Sequence, residues 1–179
     1  MYIPHRHLLK IEQKADELLQ ACGINSPPVP VNEIVSHLGL QVDGDNLGEG
    51  ISGILVIENG KGTIGYNRKD NVKRQRFTIA HEAGHFVFHR QLESEVFIDR
   101  DFIVKYRSEK DYTDLEARQE QEANIFAAAL LMPRDMLKRE FEKEEYANLK
   151  EVAFIEKMAQ VFDVSSQAMT YRIANTNLM

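Results

Sequence analysis

The segment TIAHEAGHFVFH, residues 78–89, narrows the folds open to this chain more than any other. Ile79, Ala80, Ala83, Phe86, Val87 and Phe88 cover most of a helix circumference, and a helix that is apolar nearly all round is buried. The same segment carries His81, Glu82, His85 and His89. Buried imidazoles and carboxylates need partners. The fold must therefore bring polar groups or a metal ion against an internal helix.

Spacing favours the metal. Positions i and i+4 share one helix face, about 5–6 Å apart at Cβ, so His81 and His85 can point at one ion. Glu82 sits about 100° further round. It misses direct ligation and can reach a water on that ion. This is the HExxH arrangement, with both histidines as zinc ligands and the glutamate as general base. Bound zinc lowers the pKa of its water toward about 7. Gly84, without a side chain, lets another backbone approach the site. His89 would stand about 12 Å along the axis from His81, too far to share the ion. It is expected at the helix end, favourable against the dipole there.

Such a site needs a third protein ligand. Cys22 is far upstream. The better source is DLEARQEQEANIFAAALLMP, residues 114–133, a second core-like helix with Glu116, Glu120 and Glu122 at its polar end. Glu122 is rotated about 200° from Glu120, so both cannot face one ion. Asn124 is out of place in an apolar run and lies one turn beyond Glu120. That favours Glu120 as ligand, with Asn124 hydrogen-bonded to a ligating imidazole. The competing reading makes the three glutamates a solvated acidic patch.

Along the rest of the chain, residues 6–22 carry a helical stripe stopped by Gly23. Asn32 is placed to cap a short helix through His37. LQVDGD and ISGILVIENGKGTIGYN read as short strands, with residues 53–58 and 62–66 a hairpin around Asn59-Gly60. A helix is expected over 72–89, a loop or lid over 93–113, and helices over 114–131, 134–145 and 148–161. The end, FDVSSQAMTYRIANTNLM, reads as a turn, a serine-capped helix and a frayed tail. The class is α+β and mostly helical, with a small antiparallel sheet before the HExxH helix. The domains are expected at residues 1–146, carrying the metal site, and 147–179, a helix-turn-helix-like extension packed on it.

Exclusions come from charge and composition. No apolar run approaches the roughly 20 residues of a membrane helix. The N-terminus has no long apolar core or cleavage site of a signal peptide. One cysteine, Cys22, forms no internal disulfide, which suits a reducing cytoplasm. A net charge of −6 opposes broad nucleic-acid binding. The last helices have helix-turn-helix spacing, but the second offers only Arg172 as a cation, with Gln167 and Asn175 as polar readers. Helix packing or protein docking is expected there rather than DNA contact. The basic run Arg68, Lys69, Lys73, Arg74 and Arg76 reads as a solvated helix start. His5 and His7 near a mobile end are not expected to form a second metal site.

RFTIAHEAGHFVFH, followed some thirty residues later by EQEANIFAAALLMP, resembles the ImmA/IrrE family of metallopeptidases. The resemblance runs from about residue 10 to 178 and is weaker at the ends. It implies a gluzincin-like zincin fold, His81 and His85 as ligands and Glu82 as base. It also implies a glutamate of the EQEAN block as third ligand. The family's form there, Glu-x-(Glu or Gln)-Ala-Asn, again selects Glu120. It further implies a role in phage, mobile-element or stress-response systems, cleaving a partner repressor of helix-turn-helix type. No separate DNA-binding domain is expected before the metal motif, and the repressor is expected to be another polypeptide. Mn²⁺ or Fe²⁺ could replace Zn²⁺ in such a donor set. Tyr66, Tyr106, Tyr112 and Arg107 are oxyanion-stabilising candidates by residue type only. Two other readings stay open: a non-catalytic metal-containing module that docks a repressor or DNA, and an amidase or deacetylase acting on small substrates. Retention of Glu82 favours the endopeptidase.

Overall fold

The computed structural model describes residues 3–90, 95–100 and 113–176. Helix α1, His5–Ala21, buries Ile11, Ala15, Leu18 and Leu19, a single stripe at helical spacing. Helix α2, Val31–His37, starts two residues earlier than the asparagine cap predicts. Pro30 precedes it, and no side chain caps it. Burial of Val31 with Ile34 and Val35 sets this start, which leaves Asn32 inside the first turn.

Four strands follow as one sheet: β1, Gln41–Asp45; β2, Ile51–Glu58; β3, Lys61–Asn67; and β4, Glu95–Arg100. Their order is β1-β3-β2-β4. The hairpin of β2 and β3 closes at Glu58 opposite Lys61. Asn59 and Gly60, at φ 50° and 76°, form its two-residue turn, since both positions need the left-handed region. β1 runs parallel to β3. β4 runs antiparallel to β2, with Phe97 opposite Leu55. This corrects the loop expected over 93–113: residues 95–100 are strand. The apolar triplet 96–98 is too short to show a period alone, and pairing with the open edge of β2 orders it. The remainder of that loop lies outside the described residues.

Helix α3, Val72–Phe88, lies on the sheet over Leu55, Ile57 and Ile64. Asn71 caps it by accepting from the Arg74 amide at 3.0 Å. Helix α4, Asp114–Leu131, starts in a capping box between Thr113 and Glu116 and packs along α3. A Cβ on Gly84 would lie 3.1 Å from Ala123 Cα and 3.1 Å from the Phe126 ring. The missing side chain thus sets how closely the two helices pack, as the sequence leads one to expect.

Helix α5, Arg134–Phe141, is shorter than expected and gives way to a 3-10 turn, Glu144–Tyr146, that buries Tyr146. Helices α6, Glu151–Val161, and α7, Ser166–Thr176, complete the described chain. Ser165 Oγ accepts from the Ala168 amide at 3.1 Å, the expected serine lead. Met158, Phe162, Met169 and Ile173 join the same core as α3 and α4. Arg172 is buried. It grips the Glu12 carboxylate with both terminal nitrogens, and its Nε donates to Met132 O at 2.9 Å. The cation that a helix-turn-helix reading would turn toward DNA is therefore spent inside the fold. The basic run is also partly inward: Arg76 reaches Asp163 and Val29 O, and Arg74 Nε donates to Ser52 Oγ at 3.2 Å. No described helix is long and apolar enough to cross a membrane.

Candidate metal centre

His81 and His85 occupy consecutive turns of α3, each 2% exposed. Their Nε2 atoms lie 3.0 Å apart. From α4, Glu120 places Oε1 3.3 Å from His85 Nε2 and Oε2 3.5 Å from His81 Nε2. Among the described residues these three form the one group whose donor atoms gather as a metal site, all within 4.8 Å of one another. A tetrahedral zinc held at about 2.1 Å by each donor requires donors roughly 3.4 Å apart. The observed separations bracket that value, so two imidazoles and one carboxylate fit the ion in size and chemistry.

The imidazoles are prepared for ligation. Burial pushes the His85 ring down to about 4, against the upward pull of Glu120. It is therefore neutral at pH 7, the form a metal needs. His81 Nδ1 lies 3.0 Å from Asn124 Oδ1. An amide oxygen only accepts, so Nδ1 carries the proton and Nε2 turns its lone pair toward Glu120 and His85. Glu120 and Asn124 thus share one face of α4, as their spacing predicts.

Glu82 is fully buried and is not one of the converging donors. Its carboxylate lies against β2 at Gly53, where an added Cβ would come within 2.8 Å of Oε1. Sequence reasoning missed this contact, although a glycine inside a strand signals a close approach.

The other glutamates have separate tasks, so the acidic-patch reading does not hold. Glu116 completes the capping box. Glu122 is 7% exposed and takes Arg118 Nε at 2.8 Å and His89 Nε2 at 3.0 Å. Burial raises its carboxyl, but these hydrogen bonds outweigh that and hold it below the usual range. His89 does end α3, yet the dipole-favoured cation expected there is corrected. The residue is 9% exposed, and burial lowers its pKa. Its Nδ1 lies 3.1 Å from His85 Nδ1. His7, expected at a mobile end, instead sits with Nε2 2.9 Å from Glu122 Oε1. Tyr66 lines a cavity with Val42, Gln75, Arg76 and Ile79. Tyr106, Arg107 and Tyr112 lie outside the described residues.

The buried histidines make the metal-free protein acid-sensitive. His85 binds a proton near 6.5 when unfolded and near 4 when folded. Between those values the unfolded chain holds the extra proton, so stability falls as pH drops from 6.5 toward 4 and levels off below. His89 shifts in the same direction. The slope is at most about 1.4 kcal/mol per pH unit for each group. Denaturant unfolding of chelator-treated protein across this window is the check, and a flat profile would contradict it.

Comparison with known proteins agrees with this geometry. The sequence profile Peptidase_M78, described as the IrrE N-terminal-like domain, matches residues 36–174. Metallopeptidase ImmA of Bacillus subtilis (strain 168) is 24% identical over 173 residues, covering 92% of this chain and 93% of that protein. A Mycobacterium tuberculosis transcriptional regulator shares the fold with a TM-score of 0.61 at 16% identity. That match covers 92% of this chain, which spans only 46% of the regulator's length. With the profile matching well over half its length and the two-helix donor set in place, the chain belongs to the ImmA/IrrE family of metallopeptidases.

Proposed function

We propose that this protein is a zinc-dependent endopeptidase that hydrolyses a peptide bond in a partner protein. The observation that carries the reading is the convergence of His81, His85 and Glu120 between α3 and α4. These three would hold the ion. When bound, it supplies a Lewis acid and a water of lowered pKa. Asn124 fixes the His81 ring. Glu82 accepts the proton of the attacking water and delivers it to the leaving amine. Zinc suits two imidazoles, a carboxylate and an open position; Mn²⁺ or Fe²⁺ is the alternative.

We take the substrate to be a transcriptional repressor of helix-turn-helix type, encoded as a separate chain in a phage, mobile-element or stress-response system. A metallopeptidase named ImmA aligned along nearly the whole chain supports a protein substrate. The transcriptional regulator of like fold fits a regulatory setting. Burial of Arg172 supports the view that the C-terminal helices do not read nucleic acid directly. The single cysteine fits a reducing cytoplasm as the site of action.

Metal content tests the reading. Wild type and Glu82→Gln should each hold about one zinc per chain, and Glu120→Gln should lose it. The metal-loaded Glu82→Gln protein then serves to trap the partner. Wild type that takes up no metal after reconstitution would overturn the enzyme reading.

A further inference from the structure

We propose that His89 and Glu122 are positioning residues for His85. They form a directed chain that fixes which ring nitrogen of His85 faces the metal. The proposal rests on the metal-binding reading above and goes beyond its ligand set.

Proton placement follows from the contacts one at a time. His85 Nε2 faces His81 and Glu120. If that nitrogen ligates, the one proton of the neutral ring sits on Nδ1. Nδ1 lies 3.1 Å from His89 Nδ1, so the latter must accept. His89 then carries its own proton on Nε2, 3.0 Å from Glu122 Oε2. A carboxylate accepts, which completes the direction: His85 donates to His89, and His89 donates to Glu122. The far oxygen of Glu122 is held by Arg118 Nε at 2.8 Å, with His7 Nε2 2.9 Å away. Three elements, α1, α3 and α4, thus meet at Glu122.

A protonated His89 would set two N–H groups against each other at His85, 3.1 Å apart. The two ligating rings are also backed unequally. His81 leans on a neutral amide, Asn124, while His85 leans through an imidazole on a carboxylate. A carboxylate behind a ligating histidine raises its basicity and fixes its orientation. Here an intervening histidine carries that influence one residue further.

Two measurements on the full chain test this. The first is zinc affinity, by chelator competition, of wild type, His89→Phe and Glu122→Gln. Loss of such backing weakens metal binding about 10–100-fold. His89→Phe should show this loss while its metal-free form unfolds near the wild-type midpoint. Glu122→Gln, whose amide oxygen can still accept from His89, should lose less. The second needs no variant: nitrogen-15 spectra of the zinc-loaded wild type should show His85 protonated at Nδ1 and His89 at Nε2. A proton on His89 Nδ1 would overturn the proposal even if the variants failed to fold. Wild type that takes up zinc, with His89→Phe matching its affinity, would overturn this proposal alone. Wild type that takes up none would overturn it together with the metal reading.

Discussion

With glutamine at position 82 the protein should keep its metal and lose the proposed peptide hydrolysis by about 10²–10⁴-fold in kcat, the usual contribution of a positioned general base. Glutamine matches glutamate in shape, so it fits the space over Gly53 that the buried carboxylate now fills. It leaves His81, His85 and Glu120 untouched, because Glu82 is not one of the converging donors. What it cannot do is take a proton from water. The check is turnover of the partner protein beside metal content for the same preparation. Full turnover with metal bound would remove Glu82 from the role of base. Loss of metal together with turnover would instead make it part of the ion's support.

The second large effect is structural. Replacing Gly84 by leucine should destabilise the fold by about 1–3 kcal/mol or more, the range for overpacked cores. The first carbon alone would press on Ala123 Cα, Ala123 O at 3.3 Å and the Phe126 ring, and Phe126 is fully buried. Backbone and a packed ring have little room to yield. An ordinary glycine within a helix behaves oppositely, since a better helix former there stabilises by about 1 kcal/mol. The sign therefore tests whether close approach governs this position. Ala123 lies between Glu120 and Asn124, so moving α4 outward also draws a donor away from the histidine pair. Zinc affinity should fall with stability. Chemical unfolding with and without zinc measures both, and a variant as stable as wild type would show that the contact can relax.

These two positions were open to sequence reasoning because each sits in one helix with a regular period. His81 and His85 are one turn apart, as are Glu120 and Asn124, and helix geometry alone puts each pair on a face. The bounds of α4 were equally plain, expected at 114–131 and found at Asp114–Leu131, while its Thr113 cap emerges only in the structure. The hairpin was legible from Asn59-Gly60, whose positive φ values its turn demands. What escaped depends on partners distant in sequence. β4 is ordered by β2, not by its own pattern. The backing of His85 joins residues 7, 85, 89, 118 and 122, and no spacing rule links an N-terminal histidine to a glutamate on α4. The buried pairing of Arg172 with Glu12 was not foreseen because the two lie 160 residues apart.

That last separation bears on how the molecule comes together during synthesis. Translation delivers α1 before every element that covers it. Its stripe of Ile11, Ala15, Leu18 and Leu19 must wait for α4, and Glu12 must wait 160 residues for its arginine. Contacts so remote in sequence carry a large loop-closure cost and slow folding. Helix α1 is thus secured only after α4 and the last described helix have been made, and its apolar stripe has to wait for them. Chaperone holding or aggregation of nascent chains is to be sought there first.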